Sequence, residues 1–186
     1  MDKLLFCDAS KEDLKLIEDS EVLNEIEDLL PYAGCPCYQF NNIDQFKEQL
    51  LKDNQLRIER VKQEELKIKI IENNLSDKNI DFKYVYCRIT SYLSNKATIK
   101  VTRSDPSIAL TNIELLAIYS KAWQWVYQEE EKESGNPGNI NGMLNRAKSY
   151  GRYGIYGHDI TDLAYNGGSL IKIYNGFVVC KFSVDS

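Results

Sequence analysis

The stretch from Thr111 to about Glu133 constrains the fold most strongly, because it predicts a helix that is apolar nearly all round. The helix begins with a capping box, in which the Thr111 oxygen and the Glu114 side chain satisfy opposite free backbone amides. Its polar side chains form one narrow stripe, consisting of Glu114, Lys121, Gln124 and Gln128. A helix with so little polar surface is buried, so we expect it to form the core of the domain.

Two pairs of β-rich segments predict two antiparallel hairpins. Residues 80–90 and 97–103 are rich in Tyr, Val and Ile and are separated by a turn-forming Ser-Asn-Lys sequence. Residues 169–174 and 177–183 flank Asn175-Gly176, a dipeptide typical of the type I′ turn because both central residues of that turn need positive φ. These hairpins supply strands against which the buried helix can pack.

Helical spacing of apolar residues also occurs outside the central helix. One such run covers residues 10–31, with Ser10 as a helix cap and a break near Ser20 as an alternative. The charged stretch 43–75 has apolar residues on roughly one face and predicts one long helix. Residues 66–70 alternate strictly, so a strand there is a competing interpretation. Residues 140–148 predict a short helix.

Length and composition favour one globular domain. The chain has 186 residues, of which 43% are hydrophobic, enough for one domain with a core. We therefore predict a single α+β domain over residues 1–186, with the buried central helix packed on antiparallel β-hairpins. Residues 1–75 would be a mainly helical part, with its helices on the outside, and residues 80–186 the α+β core.

The charge is unevenly distributed and narrows the class of partner. Residues 1–134 hold 18 Lys and Arg against 25 Asp and Glu, whereas residues 135–186 hold 5 against 3. The net charge of −5 does not favour non-specific nucleic-acid binding. No apolar run approaches the ~20 residues that span a bilayer, and the start of the chain does not resemble a signal peptide. We therefore expect a cytoplasmic protein that does not bind membranes.

The segment 150–163 contains the only histidine of the chain and is the candidate for catalysis. His158 is followed by Asp159 and Asp162. If residues 160–164 begin a helix, His158 and Asp162 would share a face, as a general base with its orienting acid or as two metal ligands. The alternative is that His158 or Asp159 caps the following turn. A single histidine excludes a multi-histidine zinc site within one chain, and we predict no metal site here.

Glycine at every third position, 151, 154 and 157, leaves the backbone of the same segment open to close approach. The spacing is not a nucleotide-binding fingerprint. Backbone amides could nevertheless cradle an anion, and nearby arginines could pair with it. The alternative is that both arginines are solvated or bonded to carbonyls. The candidate ligand-binding residues are Arg146, Arg152, Tyr153, Gly154, Tyr156 and Gly157.

Five cysteines make an odd, scattered set, which favours reduced thiols inside a cell. Cys35 and Cys37 differ from the other cysteines in being separated by one residue only. Such a pair could ligate zinc or be redox-active. Zinc motifs normally have a second cysteine pair, which this chain lacks, so buried or partly exposed structural thiols are favoured. We predict no cofactor.

Two classes of function fit these residues. The first is a non-enzymatic module that binds a protein or a small ligand through the Gly/Tyr surface of 150–168, with the 43–75 stretch as a surface for homo-oligomers. The second is a hydrolase-like or metal-assisted enzyme that uses His158 with Asp159 and Asp162. The first is favoured because the sequence has no complete catalytic set.

Four motifs of the C-terminal part resemble a group of uncharacterised proteins of large DNA viruses of amoebae. They are Leu-Thr-Asn-x-Glu-Leu-Leu from Leu110, Gly135-Asn-Pro-Gly, Gly142-Met-Leu-Asn-Arg146 and Gly157-His-Asp-Ile-x-Asp-Leu163. The resemblance covers residues 110–186 only. It implies a viral protein that works in a host cytoplasm or is packaged in a virus particle, and it implies no activity.

Overall fold

The computed structural model of the chain describes residues 3–27, 34–61, 75 and 82–186. The elements within these residues are, in chain order, β1 (Leu4–Asp8), α1 (Lys11–Asp19), β2 (Asn24–Glu27), α2 (Ile43–Val61), β3 (Tyr84–Ile89), β4 (Ala97–Arg103), α3 (Asn112–Ser134), a 3-10 helix (Ile160–Asp162), β5 (Ala164–Ile173) and β6 (Phe177–Asp185).

The two predicted hairpins form the centre of one six-stranded sheet with the order β1-β4-β3-β6-β5-β2. Strands β3 and β4 pair antiparallel, as do β5 and β6 around Asn175-Gly176, where Gly176 has φ +83°. Strand β3 lies parallel to β6, with Tyr84 opposite Phe177, and this pairing joins the hairpins. The predicted hairpins and the α+β class are confirmed.

Helix α3 is buried against one face of the sheet, as its apolar surface predicts. Trp123 and Tyr119 are buried in the main core. The same core contains every second residue of the central strands, for example Val85 of β3 and Val178 of β6. The capping box at Thr111 is present. The predicted polar stripe of α3 is only partly exposed, since Gln124 is buried.

Helix α1 covers the opposite face of the sheet through a smaller core, formed by Ile17, Tyr86, Tyr174, Phe177 and Val179. Its N-cap is Ser10, as predicted, and Asp13 completes a capping box with that residue. The Asp13 carboxylate also accepts hydrogen bonds from the Tyr86 hydroxyl at 2.8 Å and from Lys100 Nζ at 2.6 Å. Asp13 therefore links α1 to the sheet.

Two predicted helical segments differ from the structure. The first helix ends at Asp19, which confirms the alternative of a break near Ser20, and residues 20–27 do not continue it. The chain instead forms β2, in which Ile26 lies opposite Ile171, because the free edge of β5 offers hydrogen-bond partners that outweigh helical spacing. In place of the predicted helix 140–148, residues 139–146 form a turn, in which Ile140 N–H donates to the Asn145 carbonyl. Gly142 has φ +77°, a conformation that Asn-Gly sequences favour and a helix does not tolerate.

Helix α2 confirms the first part of the predicted 43–75 helix, and its Phe46 and Leu50 are buried in the main core. The competing strand at 66–70 lies outside the described residues. Among the helices that the structure describes, none is both long and apolar enough to cross a membrane.

The Asp13 carboxylate predicts a dependence of stability on pH. Burial opposes its ionisation, but hydrogen bonds from Lys100, the Ser10 amide and Tyr86 outweigh burial and lower its pKa to about 2. An ordinary aspartate has a pKa of ~3.9, so the ionised group contributes roughly 2 kcal/mol to stability above that pH. This contribution disappears as the pH falls towards 2.

We expect Asp13→Asn to lower the free energy of unfolding by roughly 2 kcal/mol at neutral pH, measured by urea denaturation. The difference from the wild type should begin to close below pH ~4, where the unfolded state binds a proton, and should disappear near pH 2, where the folded Asp13 is protonated too. The exposed Asp19→Asn is the control and should change little. A difference that stays constant down to acidic pH would contradict this account.

Candidate functional site

The carboxylate of Glu130, near the C-terminal end of α3, is fully buried beneath residues 150–163, the glycine-rich segment. It accepts hydrogen bonds from the Ser149 hydroxyl at 2.5 Å and from three backbone amides, those of Gly151 at 2.9 Å, Tyr153 at 2.8 Å and Gly154 at 3.0 Å. Backbone amides of this segment do cradle an anion, and that anion is a side chain of the protein itself.

These hydrogen bonds keep Glu130 ionised. Burial raises the pKa of this carboxyl, but the Ser149 hydroxyl and the three amides outweigh burial and hold the pKa below its ordinary value. The contact also explains one glycine, since a Cβ on Gly151 would lie 2.6 Å from a Glu130 oxygen. Gly154 meets a second requirement, because its φ of +61° is a conformation that favours glycine.

The side chains of Arg152 and Tyr153 attach the segment to other parts of the chain. Arg152 forms ion pairs with Asp8, Glu129 and Glu133, each at 2.7 Å. The Tyr153 hydroxyl donates to Asp8 at 2.9 Å. These two predicted ligand-binding residues are therefore engaged with carboxylates at the end of β1 and along α3.

Arg146 is almost completely buried, with 1% of its side chain exposed. Its Nη1 lies 2.5 Å from an Asp159 oxygen and 3.4 Å from a Glu131 oxygen, and its guanidinium covers the Tyr127 ring at 5.4 Å. Its backbone exchanges two hydrogen bonds with Gly157. The predicted arginine is thus a buried anchor that fixes two segments to α3, and the interpretation of a solvated arginine is wrong.

The structure does not place His158 and Asp162 on one helix face. Only the 3-10 turn Ile160–Asp162 forms, and His158 precedes it. The His158 ring packs edge-on against Tyr92 with 5.0 Å between centroids, and its carbonyl accepts a hydrogen bond from Tyr127. The Asp162 carboxylate accepts from the Asp159 amide at 3.2 Å. The catalytic role of His158, Asp159 and Asp162 stays a prediction.

The described residues include no group of three or more His, Cys, Asp or Glu side chains that could hold a metal ion.

Tyr92, the contact of the His158 ring, has φ +55° and is the only non-glycine residue with positive φ in the described part of the chain. The Tyr92 carbonyl accepts a hydrogen bond from the Tyr156 amide, so this backbone conformation holds the β3–β4 loop against the glycine-rich segment.

The turn at residues 139–146 exposes apolar side chains to solvent. Leu144 is 90% exposed, Met143 is 56% exposed and Ile140 is 43% exposed. Its backbone is nevertheless ordered by hydrogen bonds, from Ile140 to Asn145 and from Met143 to Ile140. The predicted ligand-binding residue Tyr156 is also partly exposed, at 44%.

A second unusual site is the loop around Cys35 and Cys37, which are joined by a disulfide. The expectation of reduced thiols is wrong for this pair, whereas Cys7, Cys87 and Cys180 are free. The two bonded cysteines are half-buried.

Helix α3 holds the disulfide loop in place. The Gln124 side-chain amide donates to the carbonyls of Pro36 at 2.9 Å and Tyr38 at 2.8 Å, and the Tyr165 amide donates to the Gly34 carbonyl at 2.8 Å. The loop is therefore fixed before, within and after its cysteine pair.

Sequence reasoning missed Glu130, Gln124 and the exposed turn. Glu130 belongs to a run of three acids, which is typical of a solvated helix end. Its spacing of seven residues from the buried Trp123 would have placed it on the buried face. The Asn141-Gly142 dipeptide was a turn signal within the segment predicted as a short helix.

No protein-family model matches this chain, and no curated protein or solved structure matches it. What the chain does is therefore inferred from the contacts of its own residues.

We expect Glu130→Gln to lower the free energy of unfolding by roughly 2–4 kcal/mol, because the amide cannot accept from all its present donors and leaves buried N–H groups unsatisfied. Hydrogen exchange should show the amides of Gly151, Tyr153 and Gly154 losing protection. Glu18→Gln, an exposed substitution on α1, is the control. Unchanged protection of the three amides would show that Glu130 does not hold the segment.

Proposed function

We propose that this protein is a non-enzymatic binding module that contacts a protein partner through the 139–146 turn, together with the neighbouring Tyr150. The observation that carries the proposal is that Leu144 is 90% exposed. It lies in a turn whose backbone is ordered by hydrogen bonds. Tyr150 is 87% exposed. Exposed apolar residues scattered singly are ordinary, but several within one short ordered segment indicate an interaction site.

The base of the turn is unusually well anchored, which supports a binding role. Asn139 and Arg146 form a β-bridge, and Arg146 pairs in turn with Gly157. The Ala147 amide donates to the Gly138 carbonyl. A contact surface that is ordered before binding loses less conformational entropy when it binds.

The chemistry of the turn fits a protein partner better than a membrane or a nucleic acid. Residues 135–147 contain no acidic residue, and their only basic residue is the buried Arg146. The centres of protein interfaces are depleted in charge and enriched in Met and aromatic residues. Membrane surfaces and nucleic acids would instead require exposed Lys or Arg.

The contacts of Asp159 and Asp162 support a binding module more than the alternative, an enzyme. Asp159 is paired with Arg146, and Asp162 accepts a backbone hydrogen bond, so both candidate acids have partners within the protein.

The proposed setting is the cytoplasm, and the resemblance to proteins of amoebal viruses extends this proposal to a host cytoplasm or a virus particle.

The proposal is tested by photo-crosslinking in the cells that produce the protein. With a photoreactive amino acid at position 144, we expect one discrete crosslinked species that Met143→Asp weakens strongly, because a charge at the turn opposes desolvation. The same amino acid at position 108 should not give that species, since Ile108 is an exposed apolar residue of a different loop.

The partner identified by crosslinking is then purified, and its affinity for this protein is measured by calorimetry. We expect Leu144→Asp to weaken binding by at least about tenfold, as loss of a central apolar contact does. Ile108→Asp and His158→Ala should leave the affinity unchanged. Equal crosslinking from both positions, or an affinity that depends on His158 and not on Leu144, would sink the proposal.

A further inference from the structure

The disulfide between Cys35 and Cys37 lies on a loop that α3 holds from behind. We propose that this disulfide is a thiol–disulfide exchange site, which oxidises a dithiol of a protein or peptide. The inference is independent of the proposed binding function, because it uses different residues.

A purely structural role explains this disulfide poorly. A disulfide stabilises mainly by closing a loop of the unfolded chain, and the effect grows with loop length. The Cys35–Cys37 bond closes a loop with only one residue between the cysteines. Gln124 and Tyr165 already hold that loop through three hydrogen bonds. The bond therefore adds little to the fixation of a loop that is held without it.

The position of the pair suits exchange with a thiol from outside. Both cysteines are half-buried, whereas Cys87 and Cys180 are completely buried and lie with their sulfurs 3.8 Å apart as free thiols. Reactive cysteines are partly exposed, and buried structural cysteines are inert. The disulfide has therefore formed at the pair that solvent can reach.

The surroundings of the two sulfurs differ and identify the leaving group. The Cys37 amide donates to Cys35 Sγ at 3.0 Å, and the Ile160 carbonyl lies 3.4 Å from the same sulfur. A released Cys35 thiolate would keep the amide hydrogen bond, which stabilises its negative charge. This donor makes Cys35 the sulfur that departs, because a thiolate that is better stabilised leaves faster.

The reaction proceeds in two displacements. A thiolate of the dithiol attacks Cys37 Sγ, the Cys35–Cys37 bond breaks, and a mixed disulfide with Cys37 forms as Cys35 leaves as a thiolate. The second thiolate of the dithiol then attacks its own sulfur in the mixed disulfide and releases Cys37 as a thiolate. The dithiol loses two electrons to form a disulfide, the protein gains them, and the two protons of the dithiol end on Cys35 and Cys37 or in solvent.

Gln124 acts as a positioning residue for this reaction. Its amide fixes the carbonyls on both sides of Cys37, at Pro36 and Tyr38, and so holds the Cys37 amide against Cys35 Sγ. Loosening this contact should reduce the preference for Cys35 as the leaving group, because the amide would no longer be aimed at that sulfur.

The test mixes the oxidised full-length protein with millimolar glutathione and quenches the reaction rapidly with N-ethylmaleimide. Peptide mass spectrometry then locates glutathione and the alkylating group. We expect glutathione on Cys37 and N-ethylmaleimide on Cys35, with a preference of about tenfold or more over the reverse, because the better leaving thiolate departs faster.

Two further measurements complete the test. The protein should oxidise a synthetic peptide dithiol at least about tenfold faster than glutathione disulfide does at equal concentration. Cys7→Ser is the matched control, since Cys7 is an exposed free cysteine outside the loop, and it should behave as the wild type does. Gln124→Met should reduce the preference for Cys37, a change that a merely structural role would not produce.

Three results would overturn the proposal. The first is a Cys35–Cys37 bond that thiols reduce only when the protein unfolds. The second is equal labelling of the two sulfurs by glutathione. The third is a peptide oxidation rate no higher than that of glutathione disulfide.

Discussion

The contact between the Glu130 carboxylate and the amides of Gly151, Tyr153 and Gly154 is the interaction on which the glycine-rich segment depends. A buried carboxylate is costly unless hydrogen bonds satisfy it, and four donors do so here. In return, the carboxylate orders a glycine-rich segment that has no regular secondary structure of its own. Arg152 and Tyr153 can then reach Asp8, and Arg146 can anchor the 139–146 turn. The segment therefore behaves as a folded part of the domain.

Helix α3 organises the disulfide loop and the glycine-rich segment through polar groups on a mostly apolar helix. Gln124 holds the disulfide loop, and Glu130 holds the glycine-rich segment. Each side chain forms hydrogen bonds with backbone groups of a segment distant in sequence. Helix α3 thus supplies hydrogen bonds that a neighbouring strand would otherwise supply. An apolar helix alone would bury surface without specifying the path of either loop. The two polar residues supply that specification.

The features that the sequence predicts correctly are those decided by local chemistry. Asn175-Gly176 specifies its hairpin, and Thr111 with Glu114 specifies the start of α3, because each depends on residues at most three positions apart. The wrong helix at 140–148 is a local failure too, because Asn141-Gly142 is a turn signal. The other failures depend on distant partners. The edge of β5 turns residues 24–27 into a strand, and Gln124 is buried because the carbonyls of a remote loop need donors. For the candidate site, the sequence identified the glycine-rich segment but neither the exposed turn nor the anion of Glu130, which lies 19 to 24 residues away on α3.

The parallel pairing of β3 with β6 has a consequence for the order of folding. Each hairpin closes over a short turn, but Tyr84 and Phe177 belong to different hairpins and meet only after the intervening chain has been brought back. Long-range pairing of this kind is slow, because the entropy of closing a large loop is lost before the contact forms. The two hairpins are therefore expected to form early and independently. The central seam of the sheet is therefore expected to close later than either hairpin.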